Sequence, residues 1–418
     1  MIKRICALGF IFVCTSIAWL ILGLTITSRT YSPLSDELKS RVAANWGTAQ
    51  EQVPPKATYR RAIVRIVGDG NNPKQIETSE VVPLALEATK VDATLDLQHR
   101  QKGLLWYSTY TVVFGGDFTF TNVSGQDQDV TFQLSFPSKQ AVYDDLVMSV
   151  DHQPLAVKNA DGNAFGNARV PAGKTVVLHA SYRSQGLDTW RYNFGDGVSQ
   201  IRNFTLNVHT NFKDIDFPEN TLSPTTKHET GQGWDLSWNY TNLVSGYAIG
   251  IAMPEKLQPG PLAGQISFFA PVSLFFFFFL MFIITTLRGI DLHPMNYFFL
   301  AAAFFSFHLL LAYLVDHVSI HIAFVICSLV SIFLVVSYLR LVVGMRFAAL
   351  EAGFAQLIYL VLFSYAFFFR GFTGLAITIG SIVTLFVVMQ ATGRIRWAEK
   401  FEKPGFAPGL TTNPGTSR

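Results

Sequence analysis

Cysteine is scarce in this chain: three residues in 418, Cys6, Cys14 and Cys327, each inside a long apolar run. Residues 28–265 contain none, so that stretch cannot close an internal disulfide. An oxidising compartment permits disulfides without requiring them. A domain of this length can bury enough core to stand without one. The same stretch lacks a Ser-His-Asp motif, a Gly-rich phosphate loop and HExxH, so it carries no sequence signature of hydrolytic or nucleotide chemistry. It also lacks an excess of positive charge, with 21 basic and 24 acidic residues. Without a dominant basic patch, nucleic acid is not expected as a partner. A small-x-small cleavage site is missing after the first apolar run, which continues Leu24-Thr-Ile-Thr-Ser-Arg29.

What is abundant is hydrophobicity, at 50% of residues, with 37 phenylalanines. It is unevenly spread. Ile5–Ile26 is apolar, residues 28–265 are mixed, and Ile266–Ala391 is almost continuously apolar. About 20 apolar residues cross the hydrocarbon core of a bilayer. Six spans are expected, over residues 5–27, 266–287, 295–315, 319–339, 348–369 and 371–391. The first run is longer than the apolar part of a typical signal peptide, and it reads as a retained anchor. Cys6 and Cys14 follow no convincing lipobox and read as membrane packing residues. The expected organisation is an anchor over 1–28, a β-rich domain over 29–265, a five-helix bundle over 266–392 and a disordered tail over 393–418.

Cations label the sides of the membrane. Lys3 and Arg4 precede the first span, Arg288 follows the second, and Arg346 follows the fourth. Arg394, Arg396 and Lys400 follow the sixth. An N-inside start places all of these in the cytoplasm, with both termini, and puts residues 28–265 outside. Arg370 is the exception.

The large insert alternates apolar and polar residues with period two, the pattern of strands with one buried face. Val130, Phe132, Leu134 and Phe136 form one such set, and Val176, Leu178, Ala180 and Tyr182 another. Phe204, Leu206 and Val208 form a third, and Trp234, Leu236, Trp238 and Tyr240 a fourth. Turn clusters at residues 68–73, 161–163, 171–173 and 195–197 separate them. The fold class expected is therefore a six-helix membrane bundle plus a large all-β domain outside the cytoplasm, built as antiparallel sandwiches. Leu34, Leu38 and Val42 recur at helical spacing within residues 30–52. Trp190, Trp234 and Trp238 could line a groove, though core packing suits them better.

The candidate polar positions lie in the membrane half: Asp316, His317, His308, His321 and His293. Ionisable groups near a bilayer are costly, and histidine with carboxylate suits a metal site or proton relay. The blander reading fits better. Asp316 and His317 occupy a turn at the interface, where Asp316 can cap the fourth helix. His293, at the other membrane face, cannot join them, and His293-Pro294 reads as a helix start. No catalytic residue, metal or cofactor is assigned. Phe275–Phe279 reads as lipid-facing. Glu351 and Gln356, near the start of the fifth span, either snorkel or face the interior.

The stretch from Leu292 to Arg340 resembles the CreD family of bacterial inner-membrane proteins. His293, Pro294, Met295 and Tyr297 match the family's approach to an apolar helix. Asp316-His317 matches its acidic residue before histidine, and Tyr338-Leu339 the end of the next helix. Looser likenesses are Trp46 with Val53-Pro54-Pro55, Leu104–Tyr107, and the basic Thr392–Trp397. The resemblance covers the membrane half well and the insert weakly. It implies a bacterial inner-membrane location and a part in cell-envelope integrity or envelope stress, which the lack of a catalytic motif in the outer domain makes non-enzymatic. Its partners would be the lipid bilayer and an envelope protein or cell-wall component. A transporter or lipid-handling protein is the alternative, and a metal-dependent membrane enzyme around His308, His317 and His321 a weaker one.

Overall fold

The computed structural model describes residues 2–30, 32–67, 74–102, 105–195, 197–369 and 371–393. The turn at 68–73, Leu104, Arg370, the basic exit after Gly393 and the expected disordered tail lie outside the described residues. The chain divides into two compact units, Met1–Pro33 with Pro259–Arg418, and Leu34–Gln258.

Among the described residues, the first unit contains six helices long and apolar enough to span a membrane. They are Ile5–Gly23, Ala270–Leu287, Pro294–Leu314, Ile320–Val342, Phe347–Phe368 and Thr373–Thr392. The expected second span, 266–287, ran two helices together. Pro259–Phe268 is a separate short helix, and the chain breaks at Phe269 before Ala270-Pro271 begins the next one. Leu262, Ala263 and Ile266 of the short helix are buried. The bundle therefore starts at residue 259, earlier than hydropathy alone placed it.

The five phenylalanines Phe275–Phe279 do not all face lipid. Consecutive helical residues point about 100° apart, so a run of five covers the whole circumference. Phe277 and Phe278 are buried, meeting Phe304 and Tyr297 at ring separations of 5.7 and 5.5 Å, while Phe275 is exposed. Cys6 and Cys14 are exposed on the first helix instead of packed, and Cys327 is buried. The fifth span is irregular. It passes through two π-helical turns, Phe347–Ala352 and Leu357–Leu362, on either side of the α-helical Gly353–Gln356.

The second unit opens with the helix Ser32–Trp46, which Gly47 ends at φ +109°, a conformation that favours glycine. The rest is β-structure in three sheets. The largest has eight strands in the order Thr226–Glu229, Trp234–Ser245, Ser199–Thr210, Leu86–Lys102, Leu105–Thr121, Thr175–Leu187, Tyr143–Val150 and Gln153–Pro154. The second runs Lys74–Pro83, Lys56–Val67, Gln128–Ser135, Asn163–Val170, Lys158–Ala160, and the third Gln50–Gln52, Thr189–Tyr192, Ile249–Ala252. All three contribute to one apolar core. The alternating residues enter it as expected: Val176, Leu178, Ala180 and Tyr182 are buried, as are Phe204, Leu206 and Val208.

Pairing is not wholly antiparallel. Ser199–Thr210 runs parallel to Leu86–Lys102, and Gln50–Gln52 parallel to Thr189–Tyr192. Alternation reports which face is buried and is blind to strand direction, so these pairs were invisible locally.

Leu86–Lys102 and Leu105–Thr121 form one long hairpin. At its tip, Leu105 and Tyr107 join Val42 and Leu187 in a small satellite core beneath Leu38, Ala43 and Trp46. The Arg100 guanidinium lies 3.4 Å from the centre of the Trp46 ring, a cation–π contact. Lys39 reaches Asp188 at 2.7 Å. Hydrophobic contacts thus dock the first helix of the unit onto the hairpin tip, which is why the unit begins at Leu34 and not at the first strand.

Candidate functional site

The polar positions expected from sequence are not gathered into one place. His293 is the N-cap of the third span, and its Nδ1 accepts the Met295 amide at 3.2 Å. Pro294 takes the first turn, where a missing N–H costs nothing. His293 and His308 are fifteen residues apart on this helix, roughly 22 Å. His317 is exposed and Asp316 half-buried in the link between the third and fourth spans. Asp316 does not hold the capping position of the fourth helix, which Ser319 takes without a side-chain cap bond. The link is longer than the two-residue turn read from hydropathy, so the helix begins well past Asp316. His321 is exposed, its ring 5.3 Å from Phe368.

His308 is the one candidate enclosed within the bundle, at 1% exposure. Its ring is surrounded by Trp19, Phe304, Phe305 and Phe307, with centroids 5.5, 5.7, 6.3 and 5.0 Å away. Trp19 is fixed in turn by stacking on Phe305 at 4.8 Å and by donating its indole N–H to the Ser267 carbonyl at 2.9 Å. Among the described residues, no three His, Cys, Asp or Glu side chains come together as metal ligands.

The principal polar arrangement in the bundle is centred on the fifth span. Both alternatives for Glu351 and Gln356 resolve inward. Gln356 is fully buried; its amide donates to Ser331 Oγ at 2.8 Å, and Ser331 donates to the Ala303 carbonyl at 2.8 Å. Glu351 Oε1 pairs with Arg288 at the end of the second span. Tyr359 donates to Thr384 Oγ1 at 2.9 Å, and Ser273 donates to the Tyr359 carbonyl. These bonds tie the second, third, fourth and sixth spans to the fifth. Among the described residues, Glu351 Oε2 and Gln356 Oε1 are buried acceptors without hydrogen-bond partners. Glu351 and Tyr359 lie within the two π-turns and Gln356 between them; such turns often occur at functional positions.

The β unit carries a cleft of about 640 Å³, within the range of small-molecule sites. Beneath it lie aromatic rings, of which Phe194 is partly exposed and Tyr192 and Phe204 are buried. Tyr192, Phe194 and Phe204 contact one another at ring separations of 4.9 to 5.8 Å. Burial pushes the Tyr192 phenol above its usual range, keeping it neutral. Pro54, Pro55 and Pro83 line the cleft, and Lys56 and Arg202 are the charged groups among its described lining residues. Neither is in an ion pair with a described residue. The tryptophans weighed as groove residues lie elsewhere. Trp190 and Trp238 are in the core, and Trp234 sits beneath Lys227, whose Nζ is 4.0 Å from its ring centre. Val53-Pro54-Pro55 was visible in the sequence, but nothing local revealed that it faces Phe194.

Residues 198–398 match the family model described as inner membrane protein CreD. No curated protein matches the chain. Among solved structures, a candidate nutrient-binding protein from Legionella pneumophila is 12% identical, over 55% of this chain and 76% of its own, with a TM-score of 0.32. An M1 zinc metallopeptidase from Deinococcus radiodurans is 10% identical over 40% of this chain and 42% of its own, with a TM-score of 0.23. Likenesses this distant bear on neither fold nor chemistry. Residues 198–398, just under half of the chain and running from the β unit through the last five spans, are thus similar to the CreD family of inner membrane proteins.

Proposed function

We propose that this multi-pass membrane protein serves cell-envelope integrity by binding and not by catalysis. The β unit faces the periplasm and both termini face the cytoplasm, which accords with the cations Arg288 and Arg346 at the ends of the second and fourth spans. The cleft over Tyr192, Phe194 and Phe204 carries this reading. It is a concavity whose lining mixes apolar side chains with polar and cationic groups, and a ligand site draws on both.

Complementation under envelope stress tests it. A deletion strain is challenged with detergent and cell-wall antibiotics, then given wild type, Phe194→Arg, or Asp316→Ala/His317→Ala at matched abundance. Loss of rescue by Phe194→Arg, with full rescue by the double variant, is the expected result. The opposite pattern would move the activity to the membrane unit. Labelling of Ser79→Cys by a membrane-impermeant reagent in intact spheroplasts tests the orientation.

A second reading, transport or lipid handling, draws on the unpartnered Glu351 Oε2 and Gln356 Oε1 inside the bundle. A transporter needs groups of this kind where solute or proton passes. Solute or lipid flux in proteoliposomes that Glu351→Gln abolishes would favour it.

A further inference from the structure

We infer that the cleft of the β unit binds an anionic amphiphile: one apolar chain with a negatively charged head, in the manner of a fatty acid or a single-chain phospholipid. This rests on the reading of the cleft as a binding site and adds the chemistry of what enters. Three features point the same way. Phe194, partly exposed and packed on the buried rings of Tyr192 and Phe204, joins Leu86 and Ile201 as apolar lining. Pro54, Pro55 and Pro83 add apolar walls with no backbone N–H to offer a strand or peptide. Lys56 and Arg202, both exposed, supply positive charge, and no carboxylate is among the described lining residues.

Some cations of this unit pair locally, Lys39 with Asp188, Arg61 with Glu80, Arg169 with Asp127 and Lys213 with Glu229, whereas others, such as Lys90, Lys158 and Arg191, are in no ion pair with a described residue. Lys56 and Arg202 have no such partner among the described residues, and they border the same concavity. An apolar base below unpaired cations complements a chain below an anionic head. The arginine can take a phosphate or carboxylate through two parallel hydrogen bonds. The volume suits a single chain better than a folded partner, and the proline walls disfavour strand addition.

Photolabelling decides the matter. Full-length protein in nanodiscs of zwitterionic lipid is irradiated with a diazirine-bearing dodecanoate, and labelled peptides are mapped. Label is expected between residues 192 and 204. Dodecyl phosphate should compete at least tenfold better than dodecyltrimethylammonium or dodecanol. Lys56→Gln/Arg202→Gln should weaken labelling at least tenfold with unchanged thermal unfolding, and Lys56→Arg/Arg202→Lys should retain most of it. Equal competition by the cationic amphiphile, labelling indifferent to the neutral double variant, or no label at the cleft would each overturn the inference. Competition by inorganic phosphate alone would overturn the amphiphile in favour of a plain anion site. If Lys56→Gln/Arg202→Gln rescues the stressed strain while Phe194→Arg does not, the cleft keeps its role and its preference for anions falls.

Discussion

Gln258 pairs with the backbone of Trp106 as a strand would. Its Nε2 donates to the Trp106 carbonyl at 2.5 Å, and its Oε1 accepts the Trp106 amide at 3.0 Å. Around this pair, the Lys256 ammonium sits 3.5 Å from the centre of the Trp106 ring. Ser108 donates to the Pro254 carbonyl at 2.7 Å, with His99 Nε2 3.0 Å from the same oxygen. The last segment of the β unit is thereby stitched to the hairpin tip. Gln258→Ala removes both bonds, worth about 1–3 kcal/mol together. Hydrogen exchange of the Trp106 amide in the full-length protein should accelerate by about tenfold or more. An unchanged rate would mean that the pair contributes nothing.

Gly186 stands opposite Tyr110 in the strand register, and the phenol donates to the Thr189 carbonyl at 2.7 Å. A Cβ at residue 186 would strike the Tyr110 ring, which is fully buried and cannot swing aside. Gly186→Ala should cost about 1–3 kcal/mol by overpacking. Gly115→Ala, whose Cβ would meet only the edge of the Asp92 carbonyl at 4.0 Å, is the control and should leave the melting temperature nearly unchanged.

Tyrosine burial gives the β unit an alkaline limit. Burial pushes the Tyr143 phenol up to about 12, partly offset by its hydrogen bonds to Ser138 and Ser184. Tyr110 and Tyr182 are raised by burial as well. A raised folded pKa favours the neutral form, so the stability is fully present below the unfolded value near 10. It drains away between pH 10 and about 12, as the unfolded chain ionises first. Denaturant midpoints should be flat from pH 8 to 9.5 and fall steeply above 10. A midpoint steady to pH 12 would contradict this.

Arg288 and Glu351 join the ends of two spans, with Glu351 mostly enclosed and Arg288 more than half exposed. Arg288→Met strands the carboxylate. The cost is put at about 1–3 kcal/mol, below that of a fully buried pair because water reaches the arginine. Melting in mild detergent should show Arg288→Met less stable than Arg288→Met/Glu351→Leu, because the double variant leaves no charge behind. The reverse order would show that the pair is unimportant to the bundle.

The spans and the buried faces of the strands were readable because both follow from local apolar pattern. Val130, Phe132 and Leu134 are all buried, as alternation requires, and the six spans fall close to their expected places. What escaped local reading depends on partners distant in sequence. Nothing near Tyr192 announces Pro54 or Arg202 across a cleft. Glu351 and Gln356 were noticed, but Arg288 and Ser331 had to be brought to them by folding. His308 stood out as an ionisable group in an apolar helix, yet its aromatic surroundings include Trp19, 289 positions earlier. The Asp316-His317 turn looked short because hydropathy does not register the extra residues of the link.

The long hairpin carries more than strand pairing. Leu86, Thr89 and Phe120 at one end line the cleft, while Arg100, Trp106 and Ser108 at the other hold the helix after Leu34 and the segment before Pro259. Thr89 and Gln101 are separated by about 40 Å of strand. A strand pair of that length acts as a lever arm. A tilt of a few degrees at the cleft becomes a displacement of a few ångströms where both connections are fastened. Neither connection can register such a tilt without the other, since both rest on the same six or so residues of the tip.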